Sequence, residues 1–138
     1  MILAVDLGKA RTGVAVSDAA ESFAFPKTVI TEYHEDRLIE KLTALAREVG
    51  ADLLVVGLPR NMDGSYGSRA EECRAIAEKL SAASGLPVEL WDERCSTVAA
   101  YAALNEAGTY GKKRKQVIDA AAATVILEGY LAYRKNRE

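Results

Sequence analysis

The chain has 138 residues, 49% hydrophobic and 28% charged, a composition that predicts one ordered domain spanning residues 1–138 and excludes a disordered chain. A formal net charge of -2 and a pI near 5.6 exclude a protein that coats polyanions wholesale, so any nucleic-acid contact must come from local cationic patches. Met1 leads straight into a short apolar run with no basic leader, and no stretch approaches the roughly 20 apolar residues that span a bilayer, which predicts a cytoplasmic protein with no membrane partner.

Residues 2–7, 13–17 and 22–30 alternate as strands do, with "GKAR" and "DAAE" as the intervening turns, so an antiparallel meander opens the chain. Pro26 inside the third strand predicts a sheet edge, because proline cannot donate a ladder hydrogen bond. Leu38, Leu42, Leu45 and Val49 recur at helical spacing over residues 36–49, with Gly50 as the stop and His34, the only histidine, as a surface or capping residue at its start. The continuous apolar run "DLLVVGL" is the pattern of a strand buried on both faces. After the loop "PRNMDGSYG" comes a second helix over residues 68–83, with Cys73, Ile76, Ala77 and Leu80 inward. "LPVELW" is a fifth strand ending at "DER"; Trp91 is a core or sheet-face residue with no assigned role. A short helix marked by Val98, Tyr101 and Leu104 follows, then "EAGTYGKKRK", which reads as a mobile basic loop. The last helix covers residues 116–134 and is expected to bury Ile118, Ala121, Ala122, Val125, Ile126, Gly129 and Tyr130.

A meander feeding βαβ crossovers implies an α/β fold: a mixed five-stranded sheet of three antiparallel and two parallel strands, with helices on both faces. Cys73 and Cys95 fit no zinc spacing and are expected to be reduced thiols.

Three acids stand out in this layout. Asp6 closes the first strand, "DER" closes the last, and open α/β sheets bind ligands at the carboxyl ends of their strands. Asp119, placed in the first turn of the last helix at the margin of its apolar stripe, is carried toward the other two by the small residues Ala120 to Ala123. Of the two acids in "DER", alternation lets only Asp92 or Glu93 face such a site. Converging carboxylates repel unless cations relieve them, and oxygen ligands with room for water suit Mg²⁺ or Mn²⁺ rather than zinc. Two such ions about 3.5 to 4 Å apart can activate a water and stabilise the leaving oxygen of a phosphodiester. Lys9, Arg11, Arg60, Arg94 and the run Lys112, Lys113, Arg114 and Lys115 supply candidate phosphate contacts.

"AVDLGKARTGVAVSD", "VVGLPRNMDGS", "WDERCST" and "KKRKQVIDAAAATVILEGYL" resemble, in order and over nearly the whole chain, the successive motifs of the YqgF/RuvX family. The resemblance implies an RNase H-like fold, an acidic metal-binding triad at Asp6, Glu93 and Asp119, and a hydrolase of phosphodiester bonds. The expected activity is processing of the 5' end of pre-16S rRNA in ribosome biogenesis, alongside ribosome-associated partners. Resolution of Holliday junctions in branched DNA is the alternative, as is a weakly catalytic assembly factor that binds nucleic acid. A monomer or weak homodimer is expected.

Each residue also has a plainer reading. Asp6 alone could start a turn, Gly8 and Gly13 could supply positive φ to a hairpin, Glu93 and Arg94 could form a surface ion pair, and the basic run could be a solvated loop. "DLGKARTG" also suggests the phosphate hairpin of actin-like and sugar-kinase ATPases, whose folds need a second half that 138 residues cannot hold.

Overall fold

The computed structural model describes residues 1–8, 10–59, 65–92 and 111–137, with side chains of the last helix described over residues 120–135. Five strands and three helices occupy them: β1 (Ile2–Asp6), β2 (Arg11–Ser17), β3 (Ala24–Thr31), α1 (Glu35–Val49), β4 (Leu53–Leu58), α2 (Ser68–Ser84), β5 (Val88–Asp92) and α3 (Gly111–Arg137). The strand order is β3-β2-β1-β4-β5. β1 runs antiparallel to β2 and parallel to β4, which is parallel to β5. The mixed sheet expected from the sequence is therefore present, with β1 at its centre.

Alternation along the strands sorts side chains onto two faces. Leu3, Val5, Val14, Leu54, Val56 and Leu58 pack with Leu38, Leu42 and Ala46 of α1 and Cys73, Ile76 and Leu80 of α2. Ile2, Ala4, Ala15 and Val55 face the other way, against Ala123, Ile126, Leu127, Tyr130 and Leu131 of α3. Each large apolar side chain so buried contributes roughly 1.5–3 kcal/mol. Cys73 is a free buried thiol; Cys95 lies outside the described residues.

Helix ends follow the sequence signals. Gly50 and Gly85 end α1 and α2 in the left-handed region, each at φ 72°. His34 is the N-cap of α1 and its side chain makes no capping hydrogen bond. Pro26 sits on the edge strand β3 opposite Ala15, beside a register shift at Val14/Ala15 that accommodates the missing donor.

Two expectations for the end of the chain are corrected. The basic run is not a loop: residues 111–115 are helical and open α3, as lysine and arginine, good helix formers, allow. Asp119 accordingly falls in the third turn of α3 rather than its first. The buried stripe is also rotated: Ala123, Leu127 and Leu131 are buried where Ala121, Val125 and Gly129 were expected to be, and these three are only partly covered. Apolar residues surround this part of the helix, so periodicity alone left its orientation nearly degenerate. Ile118 and the short helix expected around Val98 to Leu104 lie outside the described side chains and residues.

No helix among the described residues is long and apolar enough to cross a membrane.

Candidate active site at the carboxyl end of the central strand

Asp6 is the last residue of β1, half-buried and paired across the ladder with Gly13 of β2. Its parity is that of Ile2 and Ala4, so it stands on the α3 face of the sheet. A glycine opposite leaves the space above that carboxylate free of a cross-strand side chain.

The turn that follows is shaped by Gly8. A Cβ there would lie 2.1 Å from the carbonyl oxygen of Arg11, so only glycine lets the chain double back into β2. Sterics, and not the positive φ of a hairpin glycine, set this requirement: among the described residues, positive-φ glycines are confined to Gly50 and Gly85. Arg11 is the first residue of β2, immediately beyond that turn. Lys9 lies outside the described residues.

At the exit of β5, Asp92 and Trp91 face opposite ways. Trp91 packs on the α3 face, edge-on to Tyr130 with ring centroids 5.9 Å apart. Asp92 has the parity of Val88, on the α1/α2 face, where the Tyr66 hydroxyl donates to its Oδ1 at 3.0 Å. Asp92 is thus held on the face opposite Asp6, which removes it as the acid of "DER" that faces a site shared with Asp6. The parity of Trp91, a core aromatic one residue earlier, was the sequence signal that could have settled this.

The first turn of α2 also reaches this end of the sheet. Arg69 donates from Nη2 to the carbonyl of Leu7, the residue after Asp6, at 2.7 Å, and from Nη1 to Glu72 at 2.8 Å. Nothing in the sequence marks Arg69, because its partner is a backbone carbonyl 62 positions away.

α3 is fixed by its far end. The Arg134 guanidinium donates to Glu21 at 3.3 Å, and the same carboxylate accepts from the Met1 ammonium at 3.2 Å. The carboxyl end of α3 therefore lies at the start of β1, and from there the helix runs back across β1, β2 and β3 to its amino-terminal part. Lys112, Lys113, Arg114, Lys115 and Asp119 are helical positions of that amino-terminal part. Arg60, Glu93 and Arg94 lie outside the described residues.

Residues 1–133 match the family model described as RuvX: Holliday junction resolvase. The chain belongs to the RuvX family. Membership makes it a nuclease, a hydrolase of phosphodiester bonds. Its relatives include a Symbiobacterium thermophilum protein described as "Putative pre-16S rRNA nuclease", 47% identical over 96% of this chain and 92% of that one. A Cereibacter sphaeroides protein of the same description is 50% identical over 92% of this chain and 79% of that one. Among solved structures, Thermus thermophilus RuvC in complex with a Holliday junction substrate superposes with a TM-score of 0.61 at 12% identity, over 99% of this chain and 97% of that one. Fowlpox virus resolvase with Holliday junction DNA gives 0.58 at 9% identity, over 96% and 97%. At such identities the likeness is one of fold alone, the RNase H-like arrangement expected from the sequence.

Proposed function

We propose that this RuvX protein is a metal-dependent nuclease of the cytoplasm that processes the 5' end of pre-16S rRNA during ribosome biogenesis, with Asp6, Glu93 and Asp119 as the residues that hold Mg²⁺ or Mn²⁺. The observation that carries this reading is the placement of Asp6: a half-buried carboxylate at the exit of the central strand, opposite Gly13, on the face that α3 covers. Three carboxylates are a hard-oxygen donor set, which suits these ions and not zinc.

Two further facts support the other ligands. Asp92 is turned away and bonded to Tyr66, which supports Glu93 as the acid of "DER" for the site. For Asp119, the buried stripe of α3 runs through Ala123, Ile126, Leu127 and Tyr130, and position 119 precedes Ala123 by one helical repeat. From Arg134 back to position 119 is about 22 Å of helix axis. β1 covers about 17 Å between Met1 and Asp6. A helix that runs back from the Glu21 anchor across β1, β2 and β3 is thus long enough to carry position 119 to the level of the strand's exit, which supports this reading.

Bound there, the ions would supply an activated water and stabilise the leaving oxygen. The chain's own cations, Lys9, Arg11, Arg60, Arg94 and Lys112 to Lys115, would neutralise and position the phosphates on either side of the bond cut. The family description favours a second reading, in which the substrate is a four-way DNA junction.

The test is cleavage of a pre-16S-like RNA and of a synthetic four-way junction with Mg²⁺ or Mn²⁺. Asp6→Asn should lower the rate by at least about 100-fold, since even outer-shell changes at metal sites cost roughly 10- to 100-fold. Preference for the junction would select the second reading, and an Asp6→Asn protein as active as wild type would refute both.

A further inference from the structure

Two hydrogen bonds tie the start of α2 to the exits of two different strands. Arg69, in the first turn, holds the carbonyl of Leu7 just beyond β1. Tyr66, two residues before the helix, holds the carboxylate of Asp92 at the end of β5. Between those exits runs β4, which pairs with both strands, so the two points are two strand spacings apart, roughly 10 Å. Both anchors are themselves oriented. Glu72, one turn on, accepts from the other nitrogen of the Arg69 guanidinium, and the Arg74 guanidinium lies over the Tyr66 ring at 4.8 Å.

We infer that the first turn of α2 is a strut across β4, with Arg69 and Tyr66 as positioning residues that set the separation of the β1 and β5 exits, to which the proposed function assigns two of its acids. The inference deepens the proposed function and rests on it for the role of those two acids. Its physical basis is that strand ends beyond the last ladder bond are the least restrained part of a sheet. Leu7 lies one residue past β1, and Asp92 is the last residue of the edge strand β5. A guanidinium is suited to the first contact because one planar fork can satisfy a carbonyl and a carboxylate together. The strut works from the α1/α2 face, the side of the sheet opposite Asp6.

Hydrogen exchange and Mn²⁺ titration calorimetry on the full chain test this without relying on turnover. Arg69→Met keeps the stem but removes the donors, and should speed exchange of the amides just after β1 about 10-fold. Tyr66→Phe keeps the ring over Arg74 and should do the same at the end of β5. Arg69→Lys, with one donor still able to reach the Leu7 carbonyl, should restore most of the protection. Mn²⁺ should bind about 10-fold more weakly to Arg69→Met, while its melting temperature stays close to that of wild type. Unchanged exchange at both exits in Arg69→Met and Tyr66→Phe would overturn the strut, as would faster exchange spread evenly over the whole sheet. If wild-type protein binds no Mn²⁺, the metal reading of the site fails, and the exchange pattern still decides whether the strut exists.

Discussion

Replacing Gly8 by alanine tests the claim that space, and not backbone freedom, dictates the turn beside Asp6. The new Cβ would lie 2.1 Å from the Arg11 carbonyl oxygen, whereas favourable carbon–oxygen contacts sit at roughly 3.3–3.6 Å. More than 1 Å must therefore be found by moving backbone on one side or the other. Arg11 cannot move freely, because it pairs with Thr31 and its neighbour Ala10 accepts from Glu32 N–H at 2.9 Å. Loss of one ladder hydrogen bond costs about 0.5–1.5 kcal/mol, and residual strain about 1–3 kcal/mol. A destabilisation of about 2–4 kcal/mol follows, equivalent for a chain of this size to a fall in Tm of about 6–15 °C. Gly50→Ala is the control: its φ of 72° penalises any side chain, yet no atom lies within 4 Å of the new Cβ, so it should lose only about 1–2 kcal/mol. Thermal melting followed by circular dichroism compares the two. A Gly8→Ala protein that melts within about 2 °C of wild type, or no lower than Gly50→Ala, would refute the steric argument.

Gly129 is a milder case, since a Cβ there would meet the Trp91 indole nitrogen at 3.2 Å, a side chain that can tilt. Gly129→Ala should change stability by less than about 1 kcal/mol, because helix propensity gained offsets the contact. It should still shift the emission of the chain's single tryptophan, and an unshifted spectrum would show that α3 does not seat on Trp91. Asp18 accepts from the amides of Phe23 at 3.0 Å and Ser22 at 2.7 Å, and these bonds, that from Phe23 most, hold its carboxyl below the ordinary value. A depressed folded pKa means the contribution is fully present above the unfolded value, near pH 4, and is lost as the pH falls through the folded one. The gap in Tm between wild type and Asp18→Ala should therefore be constant above about pH 5 and close on acidification; a gap that widens in acid would contradict the assignment.

The sequence made the sheet legible because its signals were local. Alternation in "ILAVD", the stop at Gly50 and the proline in β3 each name one element, and the sheet order follows from how few ways such elements connect. Asp6 was legible for the same reason, as an acid at the end of an apolar strand. The orientation of α3 was not, because Val125 and Leu127 are both apolar and only the sheet beneath decides which is buried. Arg69 was invisible because a backbone carbonyl carries no sequence signature. The face of Asp92 lay between: Trp91 held the answer, but only once its own face was known.

α1 and α3 are built on opposite electrostatic plans. α1 opens on Glu35 and Asp36 and closes on Arg47, matching the helix dipole at both ends. α3 opens on Lys112, Lys113, Arg114 and Lys115 with no acid in its first turn, setting four cations against the positive end of the dipole. The two glycines and four adjacent cations of "EAGTYGKKRK" are why the run reads as a loop in the sequence, and the dipole mismatch is why its helical state calls for a reason beyond propensity. Counting along the axis, positions 112–115 fall about 6–10 Å beyond position 119, at the end of the helix that the proposed function gives to substrate. A phosphate backbone lying there would turn the unfavourable charge into attraction, so the stability given up in the free protein would return as affinity for nucleic acid.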